Sequence, residues 1–130
     1  MNAEHYDLVI IGSGSGNSVP QADHADLRVA VVEGGVFGGT CLNNGCIPTK
    51  MLVHTADLAH APAESARFGV TSALRHVDWP AIRDRVFGRI DPISTGGLQY
   101  RELKCENITV YDSHVEFDGR DDDGNYRLVT

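Results

Sequence analysis

Residues 6–33 run through one fixed order of segment types. An apolar stretch, Tyr6-Asp7-Leu8-Val9-Ile10-Ile11, enters the glycine turn Gly12-Ser13-Gly14-Ser15-Gly16-Asn17. A segment expected to be helical through about Asp26 follows, then the apolar run Arg28-Val29-Ala30-Val31-Val32 and the acid Glu33. Short β-branched runs of this kind suit buried parallel strands. Gly12 is placed to make a tight turn, and Gly14 to let a pyrophosphate approach the backbone at a helix N-terminus. Glu33, some twenty residues beyond the turn, is placed to accept hydrogen bonds from a ribose hydroxyl. Strand, glycine turn, helix, strand and acid in this order make a Rossmann unit, and so an α/β fold. Asn17 departs from it, standing where the third glycine or alanine of G-x-G-x-x-G belongs, which predicts looser strand–helix packing there. A glycine-rich loop without a ligand reads alike locally, and an acid at a strand end also occurs without a ribose.

Downstream lies Gly38-Gly39-Thr40-Cys41-Leu42-Asn43-Asn44-Gly45-Cys46-Ile47-Pro48-Thr49-Lys50. Residues five apart on a regular helix are separated by about 7.5 Å of rise. A disulfide needs Cα atoms roughly 4.4–6.8 Å apart with converging Cβ vectors. Cys41 and Cys46 can therefore bridge only across an irregular backbone, which Asn43-Asn44-Gly45 offers through its tolerance of left-handed angles. A helix is expected to start near Cys46 with Pro48 in its first turn. A thiol there feels the positive end of the helix dipole, which favours the thiolate, and Lys50 adds positive charge one turn on. Two unreactive cysteines, or half of a zinc site with His54, would show the same spacing.

Net charge −7 and a pI near 5.2 argue against nucleic acid or an anionic membrane as partner. No apolar stretch approaches membrane-spanning length. The start, Met1-Asn2-Ala3-Glu4, lacks the basic and apolar regions of a secretory signal, so a cytoplasmic location is the default expectation. In that compartment a cysteine pair is more often catalytic than structural. Its 130 residues suit one modest domain. A helix from Thr49 to about Ala61 is expected to halt at Pro62. Trp79-Pro80 is expected to open another, with Ile82, Val86, Phe87 and Ile90 as its apolar stripe and Pro92 kinking or breaking it. Met51 and Phe87 read as packing residues, and Cys105 as a small core residue. Strands are expected at Ile108–Tyr111, Val115–Phe117 and Tyr126–Val129, with Asp121-Asp122-Asp123 as a solvated turn ahead of Gly124-Asn125.

The glycine turn together with the string Gly-Gly-Thr-Cys-x4-Cys-x-Pro-x-Lys resembles the N-terminal part of the FAD-dependent pyridine nucleotide-disulfide oxidoreductases. Within that family the pattern is similar to the mycothione reductase subfamily. The likeness rests on Gly12 to Ser18, Phe37, Thr49-Lys50-Met51 and Val86-Phe87-Gly88-Arg89-Ile90-Asp91-Pro92-Ile93. Asn44 departs from it, since valine is usual there. The resemblance, and not the glycine pattern, selects FAD as the ligand.

It implies a Rossmann-like FAD-binding domain, three-layered, with a parallel sheet plus an antiparallel meander. Residues 1–130 would be the incomplete N-terminal part of that domain, carrying the redox-active disulfide. A nicotinamide-binding domain, a dimerisation domain and a His-Glu acid–base pair are expected outside this chain. The implied reaction passes a hydride from NADPH to FAD and then reduces a low-molecular-weight disulfide, mycothione, in a homodimeric, cytoplasmic parent enzyme. Cys46 would be the flavin-proximal thiol in charge-transfer contact with the ring, and Cys41 the interchange thiol. Gly12, Ser13, Gly14, Ser15 and Gly16 would hold the pyrophosphate side, and Glu33 and Gly34 the adenosine ribose side. Gly39, Thr40 and Lys50 would lie by the flavin, and His114 or Ser113 by the adenine. His60 and Glu64 resemble the acid–base pair only superficially and read as solvated surface. Dihydrolipoyl dehydrogenase, mercuric reductase and a non-catalytic flavin-binding fragment remain alternative readings.

Overall fold

Strand β2 (Val29–Glu33) is buried at four of its five positions because it has a parallel neighbour on each side. A computed structural model describes residues 3–19 and 24–130. In it β1 (Leu8–Ile11) pairs with β2 in the register Leu8↔Val29 to Ile11↔Val32. β3 (Ile108–Asp112) pairs with the other edge, Val29↔Ile108 to Glu33↔Asp112. An inner parallel strand covered on both faces must be apolar throughout, which is why Val29-Ala30-Val31-Val32 shows no alternation. β1 has one neighbour among the described residues, and its last residue, Ile11, is half exposed.

The chain divides into two compact units, Met1–Gly39 with Ser94–Thr130, and Thr40–Ile93. The first unit has its core under the parallel sheet, where Ile10, Val29, Val31 and Phe37 cluster with Leu8, Leu27, Leu98, Ile108 and Val110. The phenol of Tyr6 meets that of Tyr111 at 2.6 Å with the rings edge to face, tying the segment before β1 to β3. The same unit carries an antiparallel hairpin, β4 (Glu116–Arg120) and β5 (Tyr126–Val129). Its turn is fixed by Asp121, whose carboxylate accepts from the Asn125 amide N–H at 2.8 Å and from Nδ2 at 3.1 Å. Parallel sheet, helices and antiparallel strands together make the α/β architecture expected of a Rossmann-like flavin domain.

The second unit holds α1 (Gly39–Asn43) from Thr40 onward, α2 (Cys46–Ser65), and α3 (Trp79–Lys104) as far as Ile93. Asp78 opens α3, its carboxylate accepting from the Ala81 N–H at 3.0 Å. Val86 and Ile90 are almost fully buried, whereas Phe87 is 40% exposed, so the expected four-residue stripe is narrower than its sequence suggests.

Three expectations are corrected. Among the described residues the segment after the glycine turn forms a 3-10 turn, Ser15–Ser18, and no α-helix; its residues 20–23 lie outside the described part. Gly, Ser and Asn in the turn are poor helix formers, each costing about 0.5–1 kcal/mol relative to Ala. Pro62 does not halt α2, which runs on to Ser65. Leu58, whose carbonyl the proline leaves without a partner, sits on an exposed face where water can serve it. Pro92 does not break α3, which continues to Lys104. Ile90 before it and Ser94 after it are both buried, and such packing outweighs a penalty of about 3 kcal/mol. Gly88, at the i−4 position, has nothing within 4 Å of its would-be Cβ, leaving its carbonyl free to tilt aside.

Val31→Ala in the full-length protein carrying this sequence is expected to lower unfolding free energy by about 2 kcal/mol, as for loss of a buried branched side chain. Val53→Ala, at an exposed position, should change it by less than about 0.5 kcal/mol. Urea denaturation measures both, and equal effects would mean that β2 is not the centre of the core.

Candidate functional site: a nucleotide cleft and a cysteine couple

Glu33 organises the first unit's cleft. Its Oε2 accepts from the Ser13 N–H at 2.9 Å and the Ser13 hydroxyl at 2.6 Å, and its Oε1 accepts from the Gly35 N–H at 2.9 Å. Ser13 Oγ in turn accepts from the Gly38 N–H at 2.7 Å. Burial pushes the Glu33 carboxyl up, but these bonds and the nearby His114 outweigh it and hold it below its ordinary 4.5. A carboxylate has about four acceptor sites, so roughly one stays open for an incoming hydroxyl.

Around Glu33 lies a cleft of about 350 Å³, lined by Ile11, Gly12, Val32, Gly34, Gly35, Ser113, His114 and Val115 as well. Gly12 has φ +90°, the left-handed angle that turns the chain away from β1. At Gly34 a Cβ would fall 2.5 Å from His114 Nδ1, so only glycine lets the imidazole pack on this loop. Ser113 Oγ is buried without a hydrogen-bond partner, alone in this among the described side chains. An orphaned hydroxyl, an acid with open capacity and glycine-lined walls fit the sugar and base of a nucleotide.

Of the expected cofactor residues, Gly12, Glu33, Gly34 and His114 come together in this cleft. Ser13 reaches it only through Glu33. Gly14, Ser15 and Gly16 belong to the adjoining turn, and Gly39 packs on Gly14 so closely that a Cβ would sit 2.5 Å from Gly14 Cα. Thr40 and Lys50 lie in the second unit. Gly35 was missed, although the doublet Gly34-Gly35 directly after the acid signals close backbone approach.

In the second unit Cys41 and Cys46 are joined by a disulfide with Cα atoms 4.7 Å apart, which excludes the zinc reading for this state. Both residues are exposed. Cys41 sits in the single turn α1 and Cys46 is the first residue of α2, with Lys50 one turn later. The break between the helices is not left-handed as expected: among the described residues no non-glycine has positive φ, and Gly45 has φ −122°. What Gly45 supplies is room. A Cβ there would meet Thr40 O at 2.9 Å and Cys41 Cα at 3.2 Å, so its lack lets α1 fold back on α2. His60 and Glu64 are exposed, and Glu64 pairs with Arg67 at 3.2 Å.

A family model for pyridine nucleotide-disulphide oxidoreductases matches residues 6–120. The chain belongs to this family. It is 47% identical to mycothione reductase of Mycobacterium tuberculosis (strain ATCC 25618 / H37Rv) over 127 residues, which covers 98% of this chain and 28% of the relative. It is 36% identical to dihydrolipoyl dehydrogenase of Bacillus subtilis (strain 168) over 96 residues, covering 72% of this chain and 20% of that enzyme. Among solved structures it matches the HOCl-induced flavoprotein disulfide reductase RclA of Escherichia coli, determined as a Cu(II) complex. The TM-score is 0.67 at 28% identity, covering 94% of this chain and 24% of that one. The chain thus spans about a quarter of the length of its relatives. The family is flavin-dependent, with pyridine nucleotide as substrate.

Two outcomes are expected. Gly45→Ala should strain the closed couple by about 1–3 kcal/mol and lower its closed-to-open ratio roughly 5- to 150-fold. Thiol counting in a fixed glutathione buffer reads this, and an unchanged ratio would mean the loop yields freely. Because the folded-state pKa of Glu33 is depressed, its stabilisation is present above about pH 4.5 and lost as pH falls through the depressed value. The stability gap between wild type and Glu33→Gln should therefore narrow below pH 4.5 in acid-denaturation curves. A gap independent of pH would assign the loss to packing.

Proposed function

We propose that this chain is the incomplete flavin-domain and disulfide portion of a mycothione reductase, with FAD held at the glycine turn and the Glu33 cleft. NADPH is the reductant, bound outside residues 1–130, and the parent enzyme is a cytoplasmic homodimer with its dimerisation domain also outside them. The observation that carries the redox reading is the closed Cys41–Cys46 couple on exposed residues at a helix N-terminus. The substrate reading is supported by the fuller match to mycothione reductase than to dihydrolipoyl dehydrogenase.

Glu33 would accept a ribose hydroxyl, Ser113 and His114 would bound the adenine, and the Gly12–Gly16 turn would face the pyrophosphate through its Gly14, Ser15 and Gly16 amides, those of Gly12 and Ser13 being bonded to Val32 O and Glu33. Gly39, Thr40 and Lys50 would serve the flavin end. When bound, the flavin supplies the hydride chemistry that delivers an electron pair to the disulfide. Reduction opens the Cys41–Cys46 bond to two thiol groups. Cys41 thiolate then attacks one sulfur of the substrate disulfide, forming a mixed disulfide and expelling one thiolate, which takes a proton. Cys46 thiolate next attacks Cys41 Sγ, which restores the internal disulfide and expels the second thiolate. The α2 dipole and the Lys50 ammonium favour the thiolate at Cys46.

Dihydrolipoyl dehydrogenase is the second reading, favoured by the Bacillus subtilis match. Assays of the full-length protein with NADPH against mycothione and lipoamide decide between them. Mycothione is expected to be reduced with a kcat/KM at least about tenfold higher, a difference of about 1.4 kcal/mol in transition-state free energy. The reverse order would overturn the substrate assignment. Cys41→Ser should abolish turnover yet leave flavin bound with a long-wavelength absorbance. Loss of that band would exchange the roles of the two thiols.

A further inference from the structure

Asn17 occupies the position where close strand–helix packing calls for a third glycine, and it is 6% exposed. A buried carboxamide needs partners. Its Oδ1 accepts from Arg101 Nε at 3.3 Å, and its main-chain oxygen accepts from Arg101 Nη2 at 3.4 Å. The third arm of the same guanidinium, Nη1, donates to Gly97 O at 3.2 Å. These bonds are long, and each is weak by itself. The fork is held in place from below by the Phe37 ring, whose centroid lies 5.7 Å from Arg101 Cζ. Phe37 belongs to the core, and its main-chain oxygen accepts from the Ser94 hydroxyl of the same helix. Among the described residues no carboxylate pairs with Arg101. Its charge is therefore not neutralised within the described structure.

We propose that Arg101 is a positioning residue of the phosphate-binding turn, its planar fork clipping Asn17 and thereby replacing the close backbone packing that a third glycine would give. The residue adjoins the turn from the last part of α3, more than eighty positions away in sequence, and contacts it through the oxygens of Asn17, not through the turn's amides. Asn17 and Arg101 then form one device: the asparagine is tolerated because the arginine satisfies it, and the arginine matters because the asparagine is there. This deepens the flavin reading above and rests on it.

The test is a double-mutant cycle on the full-length protein, read as the FAD dissociation constant of the apoprotein and as amide hydrogen exchange without flavin. Arg101→Met should weaken FAD at least tenfold with Asn17 present and less than twofold in the Asn17→Gly background. Arg101→Lys should behave as Arg101→Met, since a single ammonium nitrogen lacks the planar fork whose three nitrogens reach Asn17 Oδ1, Asn17 O and Gly97 O together. Without flavin, Arg101→Met should speed exchange at the Asn17 and Val19 amides, which bond to Gly14 O and Gly16 O, about tenfold. Equal FAD losses in both backgrounds, or rescue by lysine, would overturn the clip and leave a simple charge effect. Unchanged exchange would overturn it independently of any cofactor. A wild-type protein that binds no FAD yet shows the exchange effect would sink the flavin reading and keep the clip as a turn-fixing device alone.

Discussion

The carboxylate of Glu33 holds three separate stretches of the first unit in one arrangement. It stands at the end of the central strand, takes both the amide and hydroxyl of Ser13 in the glycine turn, and takes the amide of Gly35. Ser13 passes the connection on to Gly38, so the turn, the strand end and the segment at Gly38 are joined by one chain of hydrogen bonds. Each bond is charge-assisted or leads to one that is, which makes them stronger than neutral contacts of similar length. The cleft walls follow from this knot, since Gly12, Gly34 and Gly35 are all within two residues of a group it fixes.

Two glycines with no partner side chains carry equal weight. Gly39 lies against Gly14 and Gly45 lies against Thr40 and Cys41, each at a spacing that a methyl group would violate. At both places the glycine permits a close approach: of the glycine turn to the following loop in one unit, and of the two ends of a closed disulfide in the other. Substitution there is costly for a reason that exposure or hydrogen bonding alone would not reveal. The clip of Arg101 on Asn17 solves the opposite problem, a side chain placed where none was expected.

Much of the fold was legible in the chain because strand and turn signals are local. Val29–Val32 is apolar without alternation, so an inner parallel strand was readable, and the Gly-Asn pair marked the hairpin before Tyr126. The helix boundaries were less legible. Pro62 and Pro92 are strong local breakers, but whether a helix survives a proline depends on what its flanks bury and whether the stranded carbonyl finds water. Neither is written near the proline. At its described start, Ser15–Ser18, the segment after the glycine turn is a 3-10 turn and not an α-helix for the converse reason: Gly16, Asn17 and Ser18 are weak formers.

The amino-acid order by itself determined the chemistry on offer, because the glycine turn, the acid after β2 and the paired cysteines act through spacing of a few residues, within reach of local backbone geometry. It could not determine which groups Glu33 engages, that His114 packs on Gly34, that Gly45 works through space and not through a left-handed angle, or that Arg101 answers Asn17. Those depend on approaches between segments far apart in the chain, where distances of a few tenths of an ångström separate contact from collision. Only the folded backbone sets such distances.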